Sequence, residues 1–161
     1  MKDAVLRSFA YNLHFANRLL NDLPTERMCE QPLPRMNHPT WIIGHLADTC
    51  DLMAQWLEIE TRYCPADWHD LFDNRSEPQK DPAIYPDKSE LVKVLELAHK
   101  DLATEFLSAS ELVLQKPLPR ESMRQMFPTV LDGVAFEMTD HEAIHLGQLS
   151  AWRRAMGMGR A

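Results

Sequence analysis

The sequence predicts an all-α fold: a four-helix bundle with long proline-rich connections and a topology other than simple up-down-up-down, with residues 1–161 as a single domain. Three observations carry this expectation. Four proline-free segments repeat apolar residues at helical spacing. Ten of the eleven prolines, all but Pro39, gather in three zones between those segments, where they break helices and restrict the residue before them. No stretch alternates apolar and polar residues as a half-buried strand does, and 161 residues suffice to bury a core without staples.

The first segment, residues 3–22, carries Leu6, Phe9, Leu13, Ala16 and Leu20 at alternating spacings of three and four, one face of a helix. The second opens with Asn37 or His38 as N-cap and Pro39 at the first helical position, where the missing N–H costs nothing. Its stripe runs through Ile42, His45, Leu46, Thr49, Met53, Trp56 and Leu57 and ends before Pro65. The third, residues 88–108, carries Leu91, Leu95, Ala98, Leu102 and Phe106. The fourth, residues 129–156, carries Val134, Met138, His141, His145, Leu149, Trp152 and Met156, then stops at Gly157, a residue suited to a helix C-terminus. The connection between the second and third helices is long enough for a crossover. Its Tyr63, Trp68, Phe72 and Tyr85 predict that it packs over the bundle.

Seventeen Lys and Arg against 24 Asp and Glu give a formal charge of −7 with no dense basic cluster, which disfavours nucleic acid as the main partner. The apolar runs are too short for a bilayer span, and Met1 to Ser8 lacks the apolar core of a secretory signal. Cys29, Cys50 and Cys64 are odd in number and form no C-x-x-C, so neither a disulfide framework nor a zinc knuckle is expected; a reducing cytoplasm fits best. The Gly-rich phosphate loops and the G-x-S-x-G elbow are missing.

Position sorts the seven histidines. His14, His69 and His99 read as structural or solvated and His38 as a capping or turn residue. His141 and His145 are four apart on one helix, so their rings lie about 40° apart around its axis on the core-facing side and can meet one metal ion. Buried imidazoles without partners are costly, and a shared metal supplies the partner; the competing reading has each hydrogen-bonded separately. His45 lies mid-stripe on another helix where Leu or Val is expected, and with the pair facing the same core a tris-imidazole site becomes the better account. His141 to His145 also spells H-E-x-x-H, but residues 146–161 contain no further His, Asp, Glu or Cys to act as the zincin third ligand. Glu142 stands as a candidate general base against a solvated glutamate on the helix flank, and Cys50 as a small core residue. Asp48 and Gln148 are near enough in sequence to support the metal-facing rings from behind.

Pro39-Thr40-Trp41-Ile42-Ile43-Gly44-His45-Leu46-Ala47-Asp48 resembles the second-helix motif of the DinB-like (DinB/YfiT-like) superfamily of metalloenzymes. Asp140-His141-Glu142-Ala143-Ile144-His145-Leu146-Gly147-Gln148-Leu149 with Trp152-Arg153-Arg154 resembles its fourth-helix motif, and Phe15-Ala16-Asn17-Arg18-Leu19-Leu20 is similar to its first helix. The resemblance implies a bundle of unusual topology in which His45, His141 and His145 match the metal-ligand positions. Characterised relatives include low-molecular-weight-thiol S-transferases and a thiol-dependent maleylpyruvate isomerase. The expected cofactor is a divalent transition metal, zinc or nickel foremost, with iron or copper also suited to three imidazoles. The expected function is a metal-dependent thiol S-transferase or hydrolase acting on a small molecule, with a non-catalytic, stress-associated metal-binding protein as the alternative. The expected partners are a small-molecule substrate, foremost a low-molecular-weight thiol, and a second copy in a homodimer, with no nucleic acid and no membrane.

Overall fold

The computed structural model describes residues 1–159. It is all helical: α1 (Lys2–Leu20), α2 (Pro39–Trp56), α3 (Trp68–Phe72), α4 (Lys88–Ser108), α5 (Glu111–Leu114), α6 (Val130–Phe136) and α7 (Glu142–Ala155). Among the described residues there is no strand, only an isolated bridge between Pro117 and Thr129. No described helix is long and apolar enough to cross a membrane.

Local chemistry sets the helix starts. His38 caps α2, its Nδ1 accepting from the Trp41 amide at 3.1 Å while its Nε2 donates to the Gln79 carbonyl at 2.8 Å. Asp87 caps α4 by accepting from the Glu90 amide, and Thr129 forms a reciprocal capping box with Asp132 at α6. The fourth predicted helix is real but not regular. A π-turn, Glu137–His141, joins α6 to α7, and buried Asn12 of α1 donates to the Met138 and Thr139 carbonyls, both at 3.2 Å. An extra residue in a helical turn weakens the regular ladder, and Asn12 supplies the lost partner.

Around the bundle the long helices run α1, α4, α2, α7: α2 packs on α4 and α7, and α1 packs on α4 and α7. Helices consecutive in sequence, α1 and α2, therefore sit on a diagonal, as do α4 and α7; the topology is not simple up-down-up-down, but the long connection expected to cross over, between α2 and α4, joins neighbouring helices instead. α3 lies in one of those connections and buries Trp68 and Phe72 against α2. On α1 the buried face is Val5, Phe9, Asn12, Ala16, Leu19 and Leu20, whereas the expected Leu6 and Leu13 are half-buried at its edges. An asparagine thus occupies a position that apolar periodicity assigns to the core.

The apolar interior forms two layers. One gathers Ala16, Ile42, Leu46, Leu95, Leu149 and Trp152. The other gathers Phe9, Cys50, Met53, Leu102, Val134 and Met138. Where each helix passes between the layers it carries a buried polar residue: Asn12, His45, His99 and Glu142. His99 Nε2 donates to Glu142 Oε1 at 2.7 Å across the α4–α7 diagonal, and the imidazole stacks on Phe9 with centroids 3.7 Å apart.

Two predictions follow from this packing. A Cβ at Gly44 would lie 2.3 Å from the Phe72 ring, so glycine is what lets α3 approach α2. Gly44→Ala, elsewhere in a helix a gain of up to about 1 kcal/mol, should instead destabilise by ~1–3 kcal/mol in urea unfolding. Burial pushes the His38 imidazole down to about 4. Its pKa is lower folded than unfolded, so its contribution to stability is complete above about pH 6.5 and is lost as pH falls through about 4. Stability should decline across that window, and His38→Asn, which keeps a capping acceptor, should make the decline shallower.

Candidate metal centre

His45 of α2, His141 at the end of the π-turn and His145 of α7 converge, as their stripes predict. One ligand-capable nitrogen from each lies within 4.8 Å of the other two. Nε2 of His141 is 3.2 Å from Nε2 of His45 and 3.2 Å from Nε2 of His145. Around a tetrahedral ion with nitrogens at about 2.0–2.1 Å, ligand atoms stand roughly 3.3 Å apart, so the spacing fits.

The opposite ring nitrogens settle the tautomers of His45 and His145. His45 Nδ1 donates to the Phe72 carbonyl at 2.7 Å, and His145 Nδ1 donates to Gln148 Oε1 at 3.2 Å. His141 Nδ1 lies 3.0 Å from Glu137 Oε2, out of line for a straight hydrogen bond but within ion-pair reach. For His45 and His145 the outward partner is a hydrogen-bond acceptor, so the proton sits on Nδ1 and Nε2 turns its lone pair toward His141 Nε2. His141 Nε2 has only one proton at most to share between these two 3.2 Å contacts, and a divalent ion would accept all three lone pairs at once. Asn37 holds Gln148 in turn, donating to Oε1 at 3.0 Å. Trp41 stacks on His45 with centroids 4.6 Å apart, and its indole N–H donates to Ser76.

Burial keeps His45 and His145 neutral. His45 is 5% exposed and His145 8%. Desolvation lowers the His45 pKa to about 4, and desolvation followed by the neighbouring His45 and His141 lowers that of His145 to about 3. Near pH 7 these nitrogens are therefore free to bind a metal without first losing a proton.

A cleft of about 1120 Å³ opens beside the cluster, with His45 and His141 on its wall. Its three aspartates are engaged. Asp51 accepts from the Tyr63 and Cys64 amides, and Asp73 from the Arg75 and Ser76 amides and the Arg75 guanidinium. Asp48 accepts from His69 at 3.1 Å, and Glu137 faces His141.

Several expectations need correction. Asp48 serves His69 rather than His45, whose outward partner is the Phe72 backbone. Glu142 is 2% exposed and turned into the bundle onto His99, so it is neither a solvated flank residue nor placed on the cleft as a base. Of the remaining histidines, His14 is exposed, and His69 stays largely exposed beside Asp48. Gln148 stands where expected. Glu137 was missed, although a carboxylate four residues before His141 on one helix was a usable signal. All three cysteines are free thiols, and Cys50 is fully buried in the core, with burial pushing its pKa well up.

The model of the DinB superfamily matches residues 12–149, and the chain belongs to that superfamily. No curated protein matches the chain.

The carboxylate behind His141, 3.0 Å from its Nδ1, is placed to orient that ring. Glu137→Gln should weaken zinc binding by ~10–100-fold, whereas Asp48→Ala should leave it unchanged; competition with a chromogenic chelator measures both. Equal affinity in the two variants would remove Glu137 from the site.

Proposed function

We propose that this member of the DinB superfamily is a metal-dependent enzyme that transfers a low-molecular-weight thiol to a small electrophile. His45, His141 and His145 would hold one divalent transition ion, zinc or nickel foremost. The observation behind the reading is the triad of converging imidazoles with two members on the wall of an open cleft. Three nitrogen ligands leave a coordination position free, the pattern of catalytic rather than structural sites. A divalent ion in the triad supplies Lewis acidity that lowers the pKa of a thiol or of water.

The cleft's own groups favour thiol over water. With Glu142 turned inward and the bordering aspartates engaged, Glu137 behind His141 is the one cleft carboxylate without a hydrogen-bond partner among the described residues, and a thiol, with a free pKa near about 8.5, needs less help than water to lose its proton. In the transfer the thiol proton passes to solvent. The sulfur lone pair then forms the new sulfur–carbon bond, and the leaving group departs with the electron pair of the bond it breaks. Phe72 and Gln148 hold the His45 and His145 rings by hydrogen bonds, Glu137 lies behind His141, and Trp41 covers the His45 ring.

Protein purified without a histidine tag should carry about one transition-metal equivalent per chain, as three converging imidazoles require. His45→Ala, His141→Ala and His145→Ala should each lose most of it, while His14→Ala, an exposed position, should retain it. In cobalt-substituted protein, a low-molecular-weight thiol should add an intense charge-transfer band near the ultraviolet, stronger as pH rises toward the thiol pKa. A spectrum that ignores thiols but titrates with pH would replace the transferase with a hydrolase. One that responds to neither would leave a non-catalytic metal-binding protein.

A further inference from the structure

The cations of the cleft are as informative as its carboxylates. Arg75 is spent on Asp73 at 3.0 Å and is largely exposed, and Arg62 reaches Asp51 at 3.9 Å. His69 is spent on Asp48. Arg120 differs from all of these: it lines the cleft half-buried, and among the described residues its guanidinium has no hydrogen bond, ion pair or ring partner. A guanidinium on a cleft wall with five donors and no acceptor committed to it is free to take one from a ligand, and its planar fork matches a carboxylate in two parallel hydrogen bonds. Arg120 comes from the connection before α6, beside Pro119 and Met123, whereas His45 and His141 come from the bundle. The two binding features therefore stand on separate elements of one cleft.

We infer that Arg120 is a substrate-binding residue that captures a carboxylate, so that the small molecule accepted by the cleft is an anion carrying a carboxylate away from the atom presented to the three histidines. The inference rests on the thiol-transfer reading for the identity of the presented atom but not for the carboxylate. A neutral thiol of the same size lacks the partner that Arg120 needs and binds more weakly.

S-Methylglutathione, which has carboxylates but no ionisable thiol, and its diethyl ester separate the two questions. In titration calorimetry on zinc-loaded protein, the free acid should bind about tenfold or more tighter than the diester, the worth of a charge-assisted hydrogen bond. Arg120→Gln should erase the difference with zinc content unchanged, Arg120→Lys should keep part of it, and Arg75→Gln should keep all of it. Equal affinity for acid and diester, no binding of the acid, or a preference that survives Arg120→Gln overturns the inference. A glutathione charge-transfer band in the cobalt protein without an acid preference sustains the thiol reading and sinks this one. An acid preference without the band does the reverse.

Discussion

Three imidazoles facing one another inside a folded core are the constraint around which the bundle is arranged. Such a cluster needs an acceptor behind every ring, and each comes from a different source: a backbone carbonyl beyond α3, a glutamate of the π-turn, and an amide further along α7. Supplying the first demands that α3 lie against α2, which the missing side chain at Gly44 permits. Supplying the second places Glu137 and His141 at the two ends of an irregular turn, whose loosened carbonyls Asn12 takes up from α1. A helix that contributes nothing to the cleft is thereby tied to its geometry.

The same polar level of the core holds the His99–Glu142 pair, which meets the cost of two buried ionisable groups by joining them. Burial pushes the Glu142 carboxyl up while His99 pulls it down. Removing one partner would strand the other in apolar surroundings, the more damaging change of the two that can befall a buried pair. His141 and Glu142 are neighbours in sequence, yet one faces the cleft and the other the opposite helix, because successive helical residues point about 100° apart. An H-E-x-x-H string therefore appears here without zincin geometry.

The long helices, the connections between them and the convergence of three histidines were legible because each leaves a trace: apolar residues at three and four, prolines between them, and imidazoles where aliphatics belong; which connection crosses the bundle was not, because the longest one joins neighbours. Non-periodic features were not. The π-turn shifts register by a residue without any breaker to mark it, and Asn12 looks like a surface residue until its carbonyl partners are in place. Asp48 was an understandable misassignment, since it lies within a turn of His45, but the packed connection brings His69 closer to it. Arg120 carries no sequence signal, because what distinguishes it is the lack of a partner in space.

The diagonal placement of α1 and α2 also bears on how the chain reaches its native state. In a simple bundle each helix docks on the one just made, whereas here α1 must wait for α4 and α7, whose residues are far along the chain. Contacts between such distant segments require closing long loops before any burial rewards them, which slows folding relative to helical proteins dominated by local contacts. The Asn12 clasp on the π-turn joins residues 126 and 127 positions apart, so forming it closes a loop that spans most of the chain.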